Sequence, residues 1–178
     1  NSGKWTGWIG YTLAWAWRKF PDIDGGKTFL AQFDRRHDLS IVNMYEINKH
    51  WKVSATFVFL SGNRVTLPVS YYLIEGQPVF NYGNRDWYQM PAYHRLDLGA
   101  TYTIIPKKER KIKLKSDITF ALYNAYNRMN PFFIYVDYSG DVGGGANAQN
   151  GGTKGIKFKA KQVSLFPILP SVTWDFKF

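Results

Sequence analysis

The histidines at positions 37, 50 and 94 are the only imidazoles in the chain, and cysteine is absent. None of the three has a metal-ligand spacing, and without thiolates neither a disulfide framework nor a sulfur-ligated metal site can form. Two of them sit in short polar runs, Arg35-Arg36-His37-Asp38 and His94-Arg95-Leu96-Asp97. Such groups are expected to pin the rim of a β-structure or to line its wall. Asp22-Ile23-Asp24-Gly25 starts like a calcium loop, but the remaining oxygen ligands and the closing glutamate do not follow, so a polar turn is expected. GGGANAQNGGTKG, residues 143–155, is glycine-rich but has no G-K-[ST] and joins extended segments instead of opening a helix. It reads as a loop. No serine lies in a nucleophile motif and no carboxylates pair as an acid and base would require, so neither an enzyme nor a cofactor is expected.

Binding chemistry is better represented than catalysis. Between Ser61 and Tyr93 lie Tyr71, Tyr72, Tyr82, Arg85, Trp87 and Tyr88, which offer stacking faces and hydrogen-bond donors suited to a sugar or peptide. The alternative is a loop packed on itself. Lys157, Lys159 and Lys161 recur every second residue and so share one face of an extended segment, where they could meet lipopolysaccharide phosphates, attract an anionic ligand, or simply be solvated. Lys107, Lys108, Arg110 and Lys111 crowd one short turn and read as solvated charge. A net charge of +10 with 18% aromatic residues is also a nucleic-acid-binding composition. No nucleic-acid partner is expected, because the aromatics fall on the apolar faces of alternating segments.

Those segments must position everything above. In KWTGWIGYTLAWAWRKF the odd positions from Trp5 to Trp17 are mostly large and apolar, while most even positions are small or polar, the period of a strand. Alternation returns in Leu39–Ile47, interrupted by Asn43, and in Trp51–Phe59, Leu96–Ile104 and Ile112–Leu122. It returns finally in Val172, Trp174, Phe176 and Phe178. Phe132–Tyr138 and Ile156–Phe166 read as outward extensions of the fifth and sixth strands, forming one long hairpin with Pro131, Pro167 and Pro170 at bulges or bends. About six strands result. Short turns, around Asn48-Lys49-His50 and Pro106–Lys111, alternate with long connections.

No stretch approaches the roughly 20 apolar residues of a membrane helix, which leaves a membrane β-barrel open because its strands are apolar on one face only. Short turns on one side and long loops on the other fit such a barrel. Six strands are too few to close one, so the chain is expected to be the C-terminal part of a larger barrel, from which a targeting segment or preceding region is missing.

The series TGWIGYTLAW, FDRRHDLSIV, LSGNRVTLP, MPAYHRLDLGATY, ALYNAYNRMNPFFIY and QVSLFPILPSVTWDFKF resembles the C-terminal portion of TonB-dependent outer-membrane transporters. The likeness is to the Bacteroidetes type, in which a carboxypeptidase-regulatory-like domain and a plug precede the barrel. It covers essentially the whole chain in order. The resemblance implies an all-β, antiparallel up-and-down transmembrane barrel of roughly 22 strands, residues 1–178 being about its last six. It implies active import of a nutrient, whether glycan, peptide or metal chelate, across the outer membrane of a Gram-negative bacterium. The implied partners are the rest of the barrel and its plug, the TonB–ExbB–ExbD complex acting through that plug, outer-membrane lipid and lipopolysaccharide, and a surface lipoprotein lid. Val172, Trp174, Phe176 and Phe178 resemble the signal read by the barrel-assembly machinery; facing lipid would explain them equally. A barrel serving as a surface-assembly scaffold and a soluble carbohydrate-binding β-sandwich are the alternatives.

Overall fold

Alternating β-branched and aromatic residues favour extended backbone, and strand is what the chain adopts. The computed structural model describes residues 3–74, 77–105, 115–139 and 157–177. In chain order the strands are β1 (Trp5–Leu13), β2 (Trp17–Lys19), β3 (Thr28–Leu30), β4 (His37–Glu46), β5 (Trp51–Leu60), β6 (Arg64–Val65) and β7 (Pro68–Ile74). Then come β8 (Gln77–Tyr82), β9 (Tyr88–Gln89), β10 (Tyr93–Ile104), β11 (Lys115–Tyr123), β12 (Phe133–Ser139), β13 (Lys157–Val163) and β14 (Leu169–Lys177).

Six of these form one sheet, ordered β1-β4-β5-β10-β11-β14, with every neighbouring pair antiparallel. The other eight pair off in the long connections as β2-β3, β6-β9, β7-β8 and β12-β13. At the opposite end β4 and β5 are joined by a tight turn, in which the Asn48 carboxamide oxygen accepts the backbone N–H groups of His50 and Trp51 at 2.8 and 2.9 Å. The sheet is open, with β1 and β14 as its edges.

Directly opposed residues in an antiparallel ladder lie on the same face, so the register sorts the side chains. Trp5, Tyr45, Val53, Ala100, Phe120 and Val172 form one row from edge to edge, and Ile9, Ile41, Phe57 and Leu96 form another. The opposite face carries Glu46, Lys52, Thr101, Thr119 and Thr173 in a single row. Asn43 interrupts the apolar face, and its carboxamide oxygen accepts the Trp5 indole N–H at 3.2 Å. No second layer covers the apolar face among the described residues. Ile9 is 71% exposed, Val172 66% and Trp174 63%, while the buried apolar side chains, Phe29, Ala31 and Met90, all belong to the long connections.

Three sequence expectations change. The first strand was expected to run through Trp17, but it breaks after Leu13. Ala14 N–H still reaches the Arg36 carbonyl at 3.1 Å in the register of the β1-β4 ladder, and the departure comes at Ala16, whose N–H goes to the Asp34 carboxylate at 2.9 Å instead of to a backbone carbonyl. Trp17 then restarts in β2, against β3. The connection from Ser61 to Tyr93 contains strands of its own, β6 to β9. Pro170, expected at a bend, lies inside β14 opposite Leu122. An edge strand tolerates proline where its missing N–H would point away from the ladder.

The last hairpin meets expectation. β12 and β13 pair from Phe133↔Val163 to Ser139↔Lys157, and the irregular stretches 124–132 and 164–168, with Pro131 and Pro167, fall opposite each other. The expected glycine loop 143–155, Lys107, Lys108, Arg110, Lys111, Ile112, Leu114 and Phe178 lie outside the described residues.

Candidate functional site

All three long connections emerge at one end of the sheet, and two buried polar hubs fix them there. The first is Asp34, 1% exposed. Burying a carboxylate is costly unless charge and hydrogen bonds compensate it, and here Arg64 stands 3.4 Å from Oδ2 and Arg36 3.8 Å. Arg64 also donates to the Trp87 carbonyl at 3.4 Å, and Arg35 reaches the Asn63 side chain at 2.6 Å. Phe33–Asp38 and Leu60–Pro68, two of the segments that carried the resemblance, are thereby locked together. Gly62 makes this possible: a β-carbon there would sit 1.7 Å from the Met90 carbonyl oxygen.

The second hub is Asn124, 0% exposed with φ of 53°, a left-handed conformation asparagine tolerates better than most residues. Its amide donates to the carbonyls of Arg128 and Phe166, each at 3.0 Å, and its oxygen accepts the Arg128 N–H at 3.0 Å. Its own backbone N–H goes to Asp97 at 2.9 Å. Asp97 in turn holds Arg95 at 2.9 Å, and Arg95 donates to the hydroxyls of Tyr93 and Tyr123 while stacking 4.0 Å over the Tyr123 ring. Where β11 leaves β10, Asn130 replaces a strand. Its side chain accepts the His94 N–H at 3.0 Å and donates to the His94 carbonyl at 2.9 Å.

Between the middle connection and the last hairpin lies a cavity of about 490 Å³. The β7-β8 hairpin presents Tyr71 and Phe80, which are register partners, and Phe158 of β13 packs on both with ring centroids 4.1 and 5.4 Å away. Trp87, Tyr88 and Val136 also line the cavity. Trp87 is fixed by its indole N–H to the Leu67 carbonyl at 3.0 Å and by an edge contact with Tyr88 at 5.6 Å.

Of the six residues expected to bind ligand, Tyr71, Trp87 and Tyr88 therefore share one cavity. The other three do not join them. Tyr72 alternates to the far face of its hairpin and is 54% exposed, and Tyr82 is 58% exposed. Arg85 turns instead to the buried Phe29, 5.9 Å from that ring, and its backbone N–H donates to Asp24 at 3.1 Å. That bond gives Asp24 a structural role in the polar turn. Phe80, Phe158 and Val136 were missed, because nothing in a single sequence announces that β13 packs against the middle loop.

Lys159 and Lys161 project from the face of β13 opposite to Phe158 and Ala160, away from the cavity. Lys161 pairs with Asp137, whose hydrogen bond and charge hold its ammonium above the ordinary lysine range. The Lys157 backbone pairs with Ser139; its side chain lies outside the described part. Val172, Trp174 and Phe176 share the exposed apolar face of β14.

The other polar runs serve the rim. Tyr11 OH lies 2.8 Å from His37 Nδ1 and Tyr126 OH 2.7 Å from His94 Nδ1, while His50 Nδ1 sits 2.9 Å from the Thr103 carbonyl beside the short turn. Among the described residues no three histidine or carboxylate side chains are grouped to hold a metal. No protein-family model, curated protein or solved structure gives a significant match to the chain.

Proposed function

We propose that this chain is part of the wall and loop face of an outer-membrane β-barrel importer of the TonB-dependent type. The observation that carries the proposal is the apolar face of the six-stranded sheet, which spans all six strands, is interrupted at Asn43, and is uncovered among the described residues. A soluble β-protein buries such a face against a second sheet, and an uncovered one in water would far exceed the few hundred Å² that monomers tolerate. Lipid is the covering that matches it. Aromatic rows bound the face as a membrane-interface girdle would. Trp5, Tyr45, Trp51, Tyr102 and Trp174 lie toward the short-turn end, and Tyr11, Phe59 and His94 toward the loop end. From Trp51 to Phe59 is about 27 Å along the strand, or about 20 Å of height at a barrel tilt of about 40°.

The edges β1 and β14 would be closed by further strands, since lipid leaves no unpaired backbone. The polar face, with the Arg95–Asp97 pair, would then line the interior beside a plug. The loop-end cavity would gather the nutrient, and the plug, moved by the TonB complex, would do the energised work. The test is lipid contact, measured on the native polypeptide carrying this sequence. In vesicles with brominated acyl chains, single-tryptophan variants retaining Trp174 are expected to be quenched and those retaining Trp8, on the polar face, are not. Equal quenching at both, or none at either, would overturn the proposal.

A second outcome follows from the same faces. Leu98 occupies the middle of the apolar face, and Ser54 lies close by on the polar one. Leu98→Arg should cost about 2–4 kcal/mol in lipid vesicles, and Ser54→Arg less than about 1 kcal/mol. Urea unfolding of the two variants side by side reads the difference.

A further inference from the structure

Resting on the reading of the loop end as the nutrient-gathering face, we infer that the cavity between β7-β8 and β13 binds the aromatic or branched-aliphatic group of an uncharged ligand. It does not suit a glycan or an anionic chelate. The wall decides this. Rings from Tyr71, Phe80, Trp87, Tyr88 and Phe158 dominate it, and no charged side chain lines it among the described residues. Its polar side-chain groups are few: the hydroxyls of Tyr71 and Tyr88, and Ser70, whose oxygen already accepts the Asn81 amide at 3.2 Å.

A sugar carries a hydroxyl on nearly every carbon, and each one buried without a partner is penalised. A metal chelate or organic anion needs cationic donors, yet Arg85 is turned to Phe29 and Lys159 and Lys161 stand on the opposite face of β13. A flat apolar group meets none of these penalties, and edge and face contacts with the rings favour it. About 490 Å³ lies within the range of pockets that enclose a small ligand. The group could come from a peptide side chain or from a free aromatic molecule.

Ala160 lines the cavity without closing it and is itself exposed. Ala160→Trp therefore fills the space while leaving the surrounding rings in place, and Lys161→Ala on the other face serves as control. Calorimetry on the detergent-purified native polypeptide would use four probes: capped acetyl-Gly-Phe-Gly-amide, 2-phenylethanol, maltotriose and citrate. The first two are expected to bind saturably, Ala160→Trp to weaken both at least tenfold, and Lys161→Ala to change neither. Tenfold preference for the peptide over 2-phenylethanol identifies a peptide ligand; equal affinity identifies a free aromatic. Saturable binding of maltotriose or citrate that Ala160→Trp abolishes would overturn the inference. So would failure of both aromatic probes at millimolar concentration, or indifference of their binding to Ala160→Trp. Cellular uptake of the bound probe separates the two levels. Binding lost in Ala160→Trp with no uptake by wild type refutes the import reading and leaves the cavity standing, whereas uptake by wild type with binding unaltered in Ala160→Trp refutes the cavity alone.

Discussion

Asn124→Ala is expected to destabilise the loop end of the sheet by about 4 kcal/mol. The side chain makes three hydrogen bonds, to the Arg128 carbonyl, the Arg128 N–H and the Phe166 carbonyl, and each contributes about 1 kcal/mol when its partner has no substitute. Alanine held at a φ of 53° adds about 1 kcal/mol of backbone strain. Asn124→Gly separates the two effects, because glycine removes the hydrogen bonds but accepts the backbone, so it should cost about 3 kcal/mol. Asn124→Asp keeps the acceptor but sets a carboxylate against two carbonyl oxygens, and it is expected to be no better than glycine. The consequences spread, since the Asn124 backbone also ties to Asp97 and through it to Arg95. Urea unfolding of the native polypeptide in detergent, followed by tryptophan fluorescence, reads these values. A loss below about 1 kcal/mol for Asn124→Ala would show that water or a rearranged loop replaces the hub.

Gly62→Ala should open the loop assembly outright while leaving the six-stranded sheet intact. The added carbon would meet the Met90 carbonyl oxygen at 1.7 Å, the Met90 carbonyl carbon at 2.5 Å and the Pro91 carbonyl oxygen at 2.8 Å. All three are backbone atoms, so no side chain can rotate away. Relief requires separating residues 61–63 from 90–91, which breaks the bond from Met90 N–H to the Asn63 carbonyl, 2.8 Å in the wild type. Ser61 remains tied to His37 of β4 at 2.9 and 3.2 Å, which holds the end of the sheet, so the damage is expected to stay in the loops. A local cost beyond about 4 kcal/mol is expected, in the range that marks a specific steric failure. Limited proteolysis should then cut within 61–92 at low protease, with the unfolding transition of the sheet near its wild-type position. A wild-type digestion pattern would refute this. Because Trp87 and Tyr88 hang on the same segment, the variant is also expected to lose the binding that Ala160→Trp weakens.

The sequence alone was sufficient for the facing of the six sheet strands, though not for the end of the first strand or for β6 to β9. A period of two assigns each side chain to a face with no tertiary information, so Val172, Trp174 and Phe176, like Trp51, Val53 and Phe57, could be placed on one apolar surface in advance. The alternation of short turns and long connections was equally visible, and it fixes neighbour order in an antiparallel meander. Even the joining of Phe132–Tyr138 and Ile156–Phe166 in one hairpin, within which β12 pairs with β13, followed from their matched interruptions.

What tertiary structure alone decided lies at the loop end, where contacts join residues far apart in sequence. Asp34 breaks the first strand eighteen residues away by offering a stronger acceptor than the ladder, an effect no local pattern encodes. The asparagines of Tyr123–Pro131 read as a family signature in sequence, but only the fold shows their work. Asn124 closes a buried hub, and Asn130 stands in for a missing strand against His94. The candidate site divides for the same reason. Aromatic content pointed to the segment 71–88, yet the side-chain directions of a hairpin and the approach of Phe158 determine which rings converge. Strand periodicity is a property of the backbone and survives in one dimension. A cavity is a meeting of two connections, and its chemistry exists only once they are folded against one another.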